Sequence, residues 1–148
     1  VAHAISAYAR NGFLDHDVAQ SKLRRCIIDL EAMRCDAYSE AWRRGLAFYA
    51  QSLIEQDGTP RYTPSSRYPI DALSAAQAIQ TLSRAARLEP SVAARRWTVL
   101  GYVLRRLLRR DGAFVFRRER LWVNRTPHPR WVQAPMLAAL SRLIASAQ

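Results

Sequence analysis

The sequence predicts an all-α fold of repeated helical hairpins, with short β-hairpins inserted along one rim. Three observations carry that expectation. Apolar residues recur at helical spacing in five stretches, polar turns punctuate them, and one order of landmarks occurs twice at a spacing of about 55 residues. In the first unit, Trp42 leads into a helix, Asp57-Gly58, a hairpin, a second helix and Leu82-Ser83-Arg84. In the second, Trp97, Asp111-Gly112 and Leu140-Ser141-Arg142 mark the same places. Such units bury their faces against one another and collect their insertions on one edge, where function is expected to sit.

Taken in order, the start before Asn11-Gly12 is poorly defined. The first ten residues, VAHAISAYAR, lack an initiator methionine and the pattern of a signal peptide. Residues 1–148 are therefore expected to form a single partial domain, truncated at the N-terminus. Helices are expected over 19–33 and 37–55, the latter followed by Asp57-Gly58, whose glycine readily takes the left-handed conformation that closes a helix. RYTPSSRY, residues 61–68, reads as two short extended runs around a polar turn. A helix over 71–88 follows, and Glu89-Pro90 interrupts it. Over 91–110, Trp97, Leu100, Leu104, Leu107 and Leu108 fall on one side and Arg95, Arg105, Arg106 and Arg109 on the other, which predicts one buried and one solvated face. Asp111-Gly112 ends that helix, AFVFRRERLWVN (113–124) reads as the better of the two hairpins, and a last helix is expected over 133–146.

A chain of 148 residues with 49% apolar content is long enough for one domain with a core of its own. Its formal charge of +11 comes from 23 basic residues against 12 acidic ones, and all the basic residues except Lys22 are arginine. A basic surface attracts nucleic acid, anionic lipid or acidic polysaccharide, whereas arginine in place of lysine also fits a GC-rich coding bias. No apolar run approaches the roughly 20 residues that cross a bilayer, so no membrane partner is expected. Cys26 and Cys35 lie nine positions apart, on opposite faces of one helix and about 13 Å apart along its axis. They cannot bridge there, and a reduced, cytoplasmic setting follows. Nothing has metal-ligand spacing, and neither a metal nor a cofactor is expected. The absence of a Gly-rich phosphate loop, a nucleophile elbow, a zinc signature and an EF-hand pattern removes several enzyme classes.

The stretches Tyr68-Pro69-Ile70-Asp71, Ser74, Ala76-Gln77 and Arg130-Trp131, Gln133-Ala134, Met136 resemble recurring phrases of bacterial six-hairpin, or (α/α)6-toroid, glycosidase-like proteins of polysaccharide metabolism. Asp15-His16 is weakly similar to a helix start of the same family. The resemblance covers residues 42–146 well, and it implies about half of a toroid, with the surface of the missing half exposed. It also implies a carbohydrate-active protein, a hydrolase, lyase or epimerase relative, that takes an oligo- or polysaccharide, acidic ones among the candidates. Leu73, Val132, Pro135, Asp17 and Val18 depart from the family's phrases, which implies weakened catalytic motifs.

The implied catalytic residues are Asp71, Asp15 and His16, with Asp15 the second carboxylate that glycosidic hydrolysis requires. The implied substrate-binding residues are Tyr68, Gln77, Arg130, Trp131 and Gln133, to which Trp122 is added as a further flat face for a sugar ring. Arginine offers a planar fork suited to uronate carboxylates. Each has a plainer alternative. Asp71 is a favoured helix N-cap, and the tryptophans fit a core. His3 and His128 offer less. Two further functions stand beside the carbohydrate one. The +11 charge with RRLLRR (105–110) and RRER (117–120) fits a basic helical module for nucleic acid, ranked lower because no helix-turn-helix or RNA-binding signature is present. A helical-repeat scaffold that binds another protein through its rim is the third.

Overall fold

The computed structural model describes residues 36–86 and 88–146, with side chains from residue 40 onward. The expected helix over 19–33, the cysteine pair, and Asp15 and His16 lie outside the described residues. What is described is mostly helical, with a small three-stranded antiparallel sheet.

Helix α1 (Asp36–Ser52) buries Trp42, Leu46, Tyr49 and Ala50 along one stripe, continued by Leu53, at the three-and-four spacing that a 3.6-residue period requires. Strand β1 (Ile70–Asp71) leads directly into α2 (Ala72–Ala85), which is buried on nearly every side. Its alanines at 72, 75, 76, 78 and 85 let neighbouring helices approach closely, so α2 is the central helix of the fold. Around it pack α4 (Arg95–Tyr102) and α5 (Ala134–Ala145), with the one-turn α3 (Pro90–Ala93) between α2 and α4. Gln80 reaches from α2 to donate to the Pro135 carbonyl at 3.3 Å.

The 91–110 segment departs from its expected face. Trp97, Leu104 and Leu108 are exposed, whereas Val99, Tyr102, Val103 and Leu107 are buried. A break at Ala94 and a π-helical turn over Val103–Leu107, closed by Leu108 N–H to the Val103 carbonyl at 2.9 Å, re-phase the stripe so that leucine count is a poor guide to it. Arg95 is not on a solvated face either. Its guanidinium donates to the carbonyls of Ala50, Ile54 and Glu55 at 2.6, 2.8 and 3.1 Å, satisfying oxygens that the end of α1 leaves free.

The two Asp-Gly landmarks are tight turns with one hydrogen-bond pattern, offset by 54 residues as Asp57 is from Asp111. Glu55 N–H bonds the Thr59 carbonyl as Arg109 N–H bonds that of Ala113, and each aspartate accepts from the amide two residues on. Gly58 and Gly112 have φ of 87° and 82°, the region where a Cβ is unfavourable. Past each turn the chain bridges back, Ile54 to Pro60 and Leu108 to Phe114.

Both expected hairpins are present. The first is a tight turn with Thr63 bridged to Ser66. The second consists of β2 (Arg117–Arg118) and β3 (Val123–Asn124), pairing Arg117 with Asn124 and Arg118 with Val123. Strand β1 adds to β2 with Ile70 opposite Arg118 and Asp71 opposite Arg117. The sheet therefore joins the entrance of the central helix to the second hairpin.

Candidate functional site

Asp71 occupies the junction. It is an extended residue at the N-cap of α2, and its Oδ1 accepts from Leu73 N–H at 2.7 Å and Ser74 N–H at 3.4 Å. Its Oδ2 accepts from both Nε and Nη2 of Arg117 at 3.2 Å. The carboxylate is buried, and the arginine is partly exposed, lying 5.8 Å from the Tyr62 ring and 5.3 Å from the Phe116 ring. Each oxygen of Asp71 thus has a structural partner, and the motif that opens α2 fastens the sheet to the helix.

Gln133 does the same from the other side. It closes a π-helical turn over Pro129–Gln133 that precedes α5. Its Oε1 accepts from Phe114 N–H at 3.0 Å and its Nε2 donates to the Phe114 carbonyl at 2.9 Å, so one amide satisfies both backbone groups of one residue. His128, just before the turn, sets its ring edge-on to Phe116 at 4.9 Å. Gln77 is half-buried in α2 and has a partner of its own.

The residues expected to meet a sugar lie on the surface. Trp131 is 56% exposed with the Arg130 guanidinium 5.5 Å from its ring. Trp122, at the tip of the second hairpin beside the 92%-exposed Leu121, is 57% exposed, and Tyr68 is 36% exposed ahead of β1. All three aromatics sit on segments that enter or leave the sheet. The structure thus brings Asp71 and Gln133 onto the second hairpin as fasteners and leaves Tyr68, Arg130 and Trp131 exposed. Among the described residues no group of three or more His, Cys, Asp and Glu side chains is placed to hold a metal, and no helix is long and apolar enough to cross a membrane.

Sequence reasoning noted the arginine runs but not their convergence. Arg105, Arg106, Arg109 and Arg110, from the end of the π-turn onward, meet Arg118 and Arg125 of the hairpin around an open cleft of about 640 Å³. Leu108, Val115 and Val123 supply its apolar lining, and Asp111 is its single acid. Arg109 is held by Asp111 and by the Arg125 carbonyl at 2.8 Å, while Arg118 donates to the Arg106 carbonyl at 3.1 Å. The side chains of Arg105, Arg106, Arg110 and Arg125 are exposed and have no hydrogen bond or ion pair among the described residues. The basic runs straddle a turn, so only the turn geometry could have shown that they face one another.

The first Asp-Gly turn carries a different electrostatic arrangement. Glu55 pairs with Arg61 and Arg67 at 3.0 and 2.7 Å, and Arg67 also reaches Asp57 at 2.9 Å. Burial opposes ionisation of Asp57, but hydrogen bonds from Thr59 and the charge of Arg67 outweigh it and hold the carboxyl below its usual range. Burial pushes the Tyr102 phenol up. Comparison with family models, with curated proteins and with solved structures gives no match for this chain.

Proposed function

We propose that this chain is a carbohydrate-binding protein of the (α/α)-toroid type, which takes an oligo- or polysaccharide along the rim that carries the three-stranded sheet. The observation that carries this reading is the exposure of three large aromatics, Trp131 with the Arg130 guanidinium over its ring, and Trp122 and Tyr68 next to strands of the sheet. Large aromatic faces are normally buried for their hydrophobic gain, and leaving three in water fits stacking against sugar rings. Binding is proposed ahead of turnover. Asp71 spends both oxygens on the fold, and a hydrolase of this kind needs a second carboxylate at a fixed separation from the first.

The test is a tryptophan-fluorescence titration of the whole chain with oligosaccharides, repeated on Trp131→Ala and Arg130→Ala. Saturable binding that weakens about tenfold in either variant, with an unchanged unfolding midpoint, supports the reading. Binding unchanged in both variants, or none in the wild type, overturns it.

A further inference from the structure

We infer that the arginine cleft between the π-turn and the second hairpin is an anion-selecting subsite for an acidic oligosaccharide, with carboxylate or sulfate groups as the recognised feature. This rests on the carbohydrate reading above and names the substrate class within it.

Six arginines surround the cleft against one aspartate, and that aspartate is already taken by Arg109. Exposed like charges repel, and a solvated face relieves this by splaying its side chains outward. Here the backbone draws them together instead. The π-helical turn admits an extra residue between Val103 and Leu108 and carries Arg105 and Arg106. Turns of this kind recur at functional sites. Arg118 then pins the hairpin to the Arg106 carbonyl and forms the opposite wall. Two arginines are thereby committed to shape, and four remain with unpaired planar forks, which match a carboxylate or sulfate in two parallel bonds.

The shape decides between polyanions. Single-stranded nucleic acid is held by aromatic stacking along a basic groove, and this cleft is lined by aliphatic Leu108, Val115 and Val123. A duplex offers its phosphates on a convex surface, which a recess of about 640 Å³ does not embrace. A short acidic sugar suits both features, with its ring C–H faces on the aliphatic floor and its acids on the forks.

The experiment is calorimetric titration of the full chain with a short oligogalacturonate, its fully methyl-esterified form, a sulfated oligosaccharide and single- and double-stranded DNA. The variants are Arg110→Gln and Arg125→Gln, whose side chains hold nothing in the fold, with Arg142→Gln on α5 as a charge-matched control. The expected result is tighter binding of an acidic sugar than of the neutral ester, with about tenfold of that preference lost in each cleft variant and none in the control. The uronate and sulfate arms tell which acid is recognised. Equal binding of acidic and esterified sugars overturns the subsite while leaving the carbohydrate reading intact. Absence of any sugar binding overturns both. Equal losses in the control mean diffuse attraction, and DNA binding tighter than sugar binding, lost in the cleft variants, assigns the cleft to nucleic acid; each of these also overturns the inference.

Discussion

The Asp71–Arg117 pair permits a worked test of what the motif at the start of the central helix does. Removing the carboxylate as Asp71→Ala strips the cap from Leu73 and Ser74, worth about 1 kcal/mol. It also leaves Arg117 without its partner. That arginine is 32% exposed and recovers part of its solvation, so the ion pair contributes about 1 kcal/mol rather than the larger figure of a fully buried pair. The sum, about 2 kcal/mol, lowers the melting temperature of a domain this size by roughly 4–8 °C. Asp71→Asn keeps a capping oxygen and loses only the charge, so its expected cost is about half as large. A double-mutant cycle of Asp71→Asn with Arg117→Gln, followed by chemical denaturation, should return a coupling of about 1 kcal/mol. A coupling near zero, or an Asp71→Ala protein as stable as the wild type, refutes the fastening role and returns Asp71 to candidate chemistry.

Four other outcomes follow from the same geometry. Gln133→Leu should cost about 2–3 kcal/mol in denaturant unfolding, because both backbone groups of the buried Phe114 lose their partner; Gln133→Glu should be no better, since it sets an oxygen against the Phe114 carbonyl. Arg95→Lys should fail to restore what Arg95→Ala loses, because a single ammonium does not span three carbonyls; equal stability of the Lys variant and the wild type counts against that account. Gly58→Ala should destabilise far more than Gly112→Ala, which pays only about 1 kcal/mol for its backbone conformation, because a Cβ at 58 comes within 2.2 Å of the Thr98 carbonyl oxygen and one at 112 meets nothing. The depressed Asp57 carboxyl contributes stability that is present above its unfolded pKa and lost as pH falls through the folded value, so the melting-temperature gap between wild type and Asp57→Asn should close under acid and stay open at neutral pH.

The helical content and the turns were legible in the sequence, whereas the toroid arrangement of repeated hairpins stays an expectation, and the reasons are physical. Apolar spacing marked α1, α2 and α5, and the Asp-Gly pairs marked turns, because local backbone demands are written in local residues. The Asp71 cap was readable for the same reason. The buried face of α4 was not, since Val99, Tyr102 and Val103 form a second apolar stripe at the same helical spacing as Trp97, Leu100 and Leu104, and the chain buries the former. Arg95 could not be distinguished from its exposed neighbours either, because its partners are carbonyls some 40 residues away in the chain. Tyr68, Arg130 and Trp131 are exposed, whereas Gln133 turns inward, a choice fixed by the unpaired backbone of Phe114 and invisible before the hairpin is placed.

The neighbours Arg117 and Arg118 divide β2 between two faces, one toward Asp71 and the other toward the cleft. A slip of this strand by one residue would set Phe116 against Asp71 or Glu119 into the cleft wall, so the charges themselves favour the native alignment. The Gln133 amide, which holds both backbone groups of Phe114, fixes the same alignment from the other side. The native alignment of the hairpin is thus held twice, once by charge and once by a neutral amide, and weakening the amide alone should leave a single set of amide resonances for residues 114–124.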